Sequence, residues 1–263
     1  MIQVTDQLGR VIEVASPPKR IISLVPSQTE LLIHLGLEEQ LMGITKFCVH
    51  PKHLLKTKTI VGGTKQVHFD RIRKLQPDII LCNKEENTEA IVSEAQTIAP
   101  VHVSDVKTLS QALALIEQYG ILFDKTTTSS QLIDQLVSAA QDFKKEIAER
   151  PIKKVAYFIW REPWMVVGQD TFINSLLAIN KFENVYSDTP DRYPEVQLDK
   201  LKELDYILLS SEPFPFAEKH IAEIKKYTTA KIILVDGEYF SWYGSRLLGA
   251  FDYFKNLQQL LET

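Results

Sequence analysis

Two cysteines, Cys48 and Cys82, are all the sequence holds. They are too few for a disulfide framework and leave the redox compartment open. No apolar run reaches the roughly 18–20 residues that a membrane-spanning helix needs. No low-complexity tract is present, which argues against disorder outside the termini. Neither sign of charge dominates: 30 Lys and Arg face 34 Asp and Glu, a net charge of -4. The short pairs Lys144-Lys145, Lys153-Lys154 and Lys225-Lys226 read as solvated element ends, so no nucleic-acid partner is expected. The opening MIQVTDQLGRVIEV lacks the basic start, apolar stretch and small-residue cleavage site of a secretory signal. The expectation is a chain that is either cytoplasmic or shorn of an export segment.

Catalytic signatures are also missing. There is no GxSxG elbow, P-loop, HExxH or GxGxxG fingerprint. Gly62-Gly63-Thr64-Lys65 is a fragment of a phosphate loop without its full spacing, and reads as a turn. His34 and His220 read as helix residues, His68 lies near a helix start, and His102 within a strand.

What is there is an ordinary globular chain of 263 residues, 44% hydrophobic and 24% charged, long enough for two cores. QVTDQLGRVIEV predicts a hairpin turning at Asp6 to Gly9. RIISLV (20–25) is a continuous apolar run, as in a strand buried on both faces. A helix follows, with Ser27 and Glu30 as a capping box and Gly36 at its close. Strands at 41–45, 77–82 and 101–104 then alternate with helices at 67–75, 87–98 and 108–120, which implies a largely parallel sheet. Residues 126–149 contain no Gly or Pro and carry helical apolar spacing, predicting one long helix. A second run begins after Pro151: strands at 153–160, 165–168, 205–210 and 231–236, and helices at 171–179, 198–204, 216–227 and 245–261. The fold class is α/β: two doubly wound parallel-sheet lobes (1–125 and 151–263) joined by one long helix (126–150), with a ligand cleft between the lobes. One continuous doubly wound domain is the alternative.

FDRIRKLQPDIIL (69–81) echoes LDKLKELDYILL (198–209), placing Asp70 and Asp199 alike near a helix start, where a carboxylate favours the helix dipole. In open parallel sheets, ligands bind beyond the carboxyl ends of the strands. All three tryptophans fall at such strand ends: Trp160 and Trp164 after VAYFI (155–159), Trp242 after KIILV (231–235). They are joined there by Tyr239, Phe240 and Tyr243, with Asp236 and Arg246 flanking them. Aromatics crowded into loops suit a pocket for a large, flat, partly apolar ligand; their bland role is to plug the sheet ends. Arg246 suits a ligand carboxylate or phosphate, or a surface ion pair. Cys48, His50 and Cys82 lie at strand ends, but Cys-x-His is a weak metal signature, and no protein-held metal or required cofactor is expected.

PKRIISLVPSQTELLIHLGL, then GI-x5-HP, then VGGTKQVHFDRIRKLQPDIIL, resemble the class III solute-binding proteins of ABC importers, which carry cobalamin, haem and ferric siderophores. The resemblance spans nearly the whole chain and is nearest to the cobalamin-binding branch. It implies a periplasmic or cell-surface monomer that binds a metal chelate, a corrinoid favoured, and delivers it to a membrane permease without catalysis. Asp70 and Asp199 match the family's two acids that dock onto permease arginines. Phe47 and Tyr193 match aromatic ligand contacts. His50 stands where the cobalamin branch has a tyrosine, and is a candidate axial ligand to a bound chelate. Trp160, Trp164 and the Asp236–Arg246 loop match binding loops. Thr64 and Asn83 replace tryptophans, and Trp242 and Tyr243 are new aromatics that compensate. Two readings of other classes remain: a cytoplasmic ligand sensor or carrier on the same fold, and an α/β enzyme using Cys48, His50 and Asp236.

Overall fold

The structure, a computed structural model, describes residues 1–262. The chain divides into two compact units. The first comprises Met1–Val106, Ser110–Leu136 and Trp242–Arg246; the second comprises Lys107–Leu109, Val137–Ser241 and Leu247–Thr263. The sequence reading placed residues 242–246 with the C-terminal lobe, whereas they group with the first unit.

The first unit opens with an antiparallel hairpin, β1 (Ile2–Thr5) and β2 (Val11–Val14). Asp6 closes its turn and ties it down. Its Oδ1 accepts from the N–H groups of Leu8 and Arg10 at 3.0 and 2.9 Å. Its Oδ2 accepts from the Arg10 guanidinium at 2.9 and 2.7 Å and from the Val103 N–H at 3.1 Å. The main sheet follows: β3 (Ile21–Ser23), helix α1 (Pro26–His34), β4 (Leu41–Ile44), α2 (Leu54–Thr57), β5 (Thr59–Ile60), α3 (Phe69–Leu75), β6 (Ile79–Asn83), α4 (Glu89–Gln96), β7 (Val101–Ser104) and α5 (Leu109–Leu122). Its order is β5-β4-β3-β6-β7, all parallel. β3 and β6 are buried along their whole length, as their unbroken apolar runs require. Ile22, Leu24, Val61, Ile72, Ile80 and Val103 form one core cluster here.

α1 departs from the expected cap. It begins with Pro26 in its first turn and Val25 as an extended N-cap, and no side chain caps it. Ser27 is therefore already helical and buried. Proline at the first helical position has no N–H to satisfy and a preset φ, so the start lies two residues early. Gly36, at φ +73°, closes the helix as expected.

α6 (Thr126–Glu146) is the long helix, and the division between the units falls within it. Its first turn lies hard against α5 at Gly120, where an added Cβ would stand 2.0 Å from Ser129 Oγ. In the second unit Phe143 of α6 packs on Phe251 and Phe254 of the last helix, α10 (Leu247–Glu262).

The second unit holds β8 (Lys153–Trp160), β9 (Met165–Val166), α7 (Phe172–Ile179), β10 (Phe182–Asn184), β11 (Tyr206–Ser210), α8 (Glu218–Ile224), β12 (Lys231–Val235) and α9 (Gly237–Ser241). The sheet order is β10-β8-β11-β12, parallel, with β9 antiparallel on β8. The helix expected over 198–204 is only a 3-10 turn, Leu198–Lys200, after which Leu201 is extended at φ -61° and ψ 137°.

Candidate carboxyl-edge binding surfaces

In each unit the chain first builds to one side of its leading strand and then to the other. The crevice at that reversal lies between the carboxyl ends of β3 and β6 in the first unit, and of β8 and β11 in the second. Doubly wound sheets bind ligands at such points.

In the first unit the protein fills the crevice itself. Gln28 is fully buried on α1. Its Nε2 donates to Ser104 Oγ at 2.6 Å and to the Tyr243 hydroxyl at 3.1 Å, while its Oε1 accepts from the Tyr119 hydroxyl at 2.7 Å. Tyr243 also bonds Ser104 Oγ at 3.1 Å. Burial pushes the Tyr119 and Tyr243 hydroxyls above their ordinary range, so both stay neutral. Asn83 is 2% exposed and spent on the loop: its Nδ2 donates to Ser104, and its Oδ1 accepts from the Glu85 and Glu86 N–H groups. Arg246 forms a two-pronged pair with Glu30 at 2.9 and 2.8 Å and lies 4.9 Å from the Trp242 ring. His50 meets the same ring edge-on at 5.5 Å. Tyr243, Trp242, Arg246 and Asn83 thus seat a chain segment and a loop, where the sequence reading assigned them to the ligand. For Tyr243, Arg246 and Asn83 the reason is that buried polar groups demand partners, and these pair with Gln28, Glu30 and Ser104; Trp242 packs its ring on His50 and Arg246. Phe47 differs, being 48% exposed.

The second unit presents an aromatic ledge at its reversal. Trp160 is 40% exposed and meets Phe214 edge-on at 5.8 Å. Trp164 stacks on Phe216 at 6.0 Å and receives the Arg161 guanidinium at 5.6 Å. Arg161 is held in turn by Glu223, at 3.2 and 3.3 Å, and by Glu162. His220 closes the cluster against both phenylalanines. Tyr193 is half-buried on the loop before the 3-10 turn. Asp236 turns inward as a local cap, its Oδ1 accepting from the Glu238 N–H at 3.1 Å, and Tyr239 stacks on Tyr253 at 4.8 Å. Phe240 is a correction: it is fully buried among Tyr157 and Phe254, at 5.2 and 4.8 Å, and belongs to the core. Phe214 and Phe216 were not singled out from the sequence. The carboxyl-end rule, applied to the loop after β11, finds them in Ser-Glu-Pro-Phe-Pro-Phe (211–216).

The cysteines offer no chemistry. Cys48 Sγ lies 3.1 Å from Thr29 Oγ1 and 3.3 Å from Thr45 Oγ1, fully buried, and that burial raises its thiol pKa. Cys82 is pushed to about 12 by burial. An activated thiol requires the opposite shift. Among the described residues no group of three or more His, Cys, Asp or Glu is placed to hold a metal.

Asp70, the second residue of α3, caps nothing: its side chain is 94% exposed, with only Arg73 near it at 3.5 Å. Asp199, the second residue of the 3-10 turn, is also exposed.

The sequence pattern of the periplasmic binding protein family matches residues 21–226, and this chain belongs to that family. The vitamin B12-binding protein of Pectobacterium carotovorum is 26% identical over 247 residues, 88% of this chain and 85% of that one. An uncharacterized ABC transporter substrate-binding lipoprotein of Bacillus subtilis is 25% identical over 195 residues, 71% of this chain and 62% of that one. The fold is shared with the crystal structure of the periplasmic vitamin B12 binding protein of Vibrio cholerae, at a TM-score of 0.81 and 18% identity, covering 94% of this chain and 99% of that one. The family is one of solute-binding proteins rather than enzymes. Among the described residues no helix is long and apolar enough to cross a membrane.

Proposed function

We propose that this protein is the substrate-binding component of an ABC importer, takes a metal chelate with a corrinoid favoured, and hands it to a permease. The observation that carries this reading is an exposed aromatic at the carboxyl edge of each sheet, Phe47 in one unit and Trp160 in the other. Large aromatic faces left in water beside a sheet reversal suit a flat, partly apolar ligand. The relatives named for vitamin B12 support the corrinoid, and the family supports a periplasmic or cell-surface location. Titration of the purified protein with cyanocobalamin, haem and a ferric siderophore, read by absorbance and tryptophan fluorescence, tests it. One of them should saturate at about 1 μM or below, roughly 8 kcal/mol of binding. Well-folded protein that binds none overturns the reading.

Asp70 and Asp199 serve the permease in this proposal. Both are exposed and neither caps its element with a side-chain bond that would hold it in place. Charges of this kind steer encounter and orientation more than they add affinity. An Asp70→Ala/Asp199→Ala variant should leave ligand affinity unchanged and lower uptake about tenfold in cells that depend on it, the size of a lost steering term. Full uptake by that variant removes the docking role.

A further inference from the structure

Lys46 and Phe47 leave the carboxyl end of β4 side by side. Phe47 lies close against Gly63, where an added Cβ would stand 3.1 Å from its Cε2 and 3.6 Å from Lys46 Cε. Gly63 thus lets ring and lysine settle on the backbone. Lys46 Nζ is 5.0 Å from the centroid of the same ring. Gly63 also opens the turn that carries Lys65, closed by its N–H to the Gln66 carbonyl at 2.7 Å. Lys65 Nζ donates to the main-chain carbonyl of Glu85 at 2.6 Å. Among the described residues neither ammonium forms an ion pair. Their neighbours at this edge do: Lys84 pairs with Asp105 at 3.2 Å. Two cations without an ion pair therefore stand at this carboxyl edge, Lys46 beside the exposed Phe47 ring and Lys65 on the turn that Gly63 opens, on the surface where the ligand is proposed to lie.

We propose that Lys46 and Lys65 bind an oxyanion of the ligand, a carboxylate or a phosphate, while the ring system that bears it rests on Phe47. This rests on the importer reading and narrows it to chelates with an anionic edge. A lysine is a point charge with three rotatable donors on a flexible stem, so the pair accepts either oxyanion. The aromatic floor excludes water from one side and strengthens the attraction there.

The test compares ligands that differ only in the anion: cobinamide phosphate against cobinamide, and haem against its dimethyl ester. The charged member of at least one pair should bind about tenfold more tightly, as two partly exposed charge-assisted bonds allow. That preference should shrink as salt rises. Lys46→Gln/Lys65→Gln should abolish the preference while neutral-ligand binding stays within about twofold, since only the charge term is removed. Phe47→Ala should weaken both members of the pair. Equal binding within both pairs, or a preference that survives the double lysine variant, overturns the inference and leaves the importer reading standing. Folded protein that binds none of the four overturns the inference together with the corrinoid and haem readings.

Discussion

Replacing Asp6 by alanine is expected to destabilise the protein by about 3–5 kcal/mol, the usual cost of stranding one member of a buried ion pair. The Asp6 side chain is fully buried while that of Arg10 keeps 29% of its exposure. Alanine leaves the guanidinium without its carboxylate and takes the acceptor from three backbone N–H groups, those of Leu8, Arg10 and Val103. The last of these ties the hairpin to β7, so the loss falls on tertiary structure as well as on the turn. Burial raises the Asp6 pKa, but the hydrogen bonds from Arg10 and Val103 and the Arg10 charge outweigh it and hold the carboxyl below its ordinary range. A folded pKa below the unfolded one stabilises the protein above the unfolded value, and the benefit is lost as pH falls through the folded value. Urea unfolding should therefore show a wild-type advantage that is constant from neutral pH to about 5 and narrows below about 4, near the ordinary carboxylate pKa. A gap below about 1 kcal/mol at neutral pH, within the range of an exposed pair, would show that Asp6 is not the anchor.

The elements most legible in the sequence were those whose local signal and burial agree. β3 and β6 combine apolar runs with complete burial, and α6 follows from 21 residues with neither Gly nor Pro. The 198–204 helix failed for a physical reason. Leu198, Leu201 and Leu204 all pack on the second core at a spacing of three. That spacing suits an α-helix, yet a polyproline-like spiral also turns once in three residues. Leu201 has the dihedrals of the latter. Short elements that only tertiary pairing defines, such as β5 and β10, carry no signal of their own.

The candidate site was half legible. Strand-end loops point to Trp160 and Trp164 as candidates, because aromatic residues in such loops are visible from element order alone, whereas Phe47 follows from the family resemblance. Nothing in the sequence distinguished an aromatic that faces water from one that plugs a crevice. Trp242 and Tyr243 are 7% and 6% exposed, and Phe240 is wholly buried. The difference arises because the chain after α9 packs into the first unit, at Gln28 and Glu30, more than 200 positions earlier in sequence. Glu30 read as half of a capping box; its carboxylate instead answers Arg246. Pairings at such separation have no local trace.

Gln28→Leu carries the second large effect, expected at about 2–4 kcal/mol from buried hydroxyls left short of partners. Leucine fits the apolar surroundings but makes none of the amide's bonds. The consequences are unequal. Ser104 Oγ and the Tyr243 hydroxyl still hold each other at 3.1 Å, and Asn83 still donates to Ser104 at 3.0 Å. The Tyr119 hydroxyl is fully buried and, among the described residues, donates to Gln28 alone. Burial has already raised its pKa well above 10, so it cannot escape the cost by ionising. Removing the stranded hydroxyl should then recover stability: Gln28→Leu/Tyr119→Phe should regain about 1–2 kcal/mol over Gln28→Leu, although Tyr119→Phe alone is destabilising. Denaturant unfolding of the four proteins gives the cycle directly. No recovery in the double variant would place the cost elsewhere, in the seating of Tyr243. That seating matters for function, because Tyr243 occupies the sheet reversal of its unit. Four hydrogen-bonded side chains already stand in that crevice. The proposal therefore puts the ligand at the rim of this unit, where Lys46, Phe47 and Lys65 stand exposed.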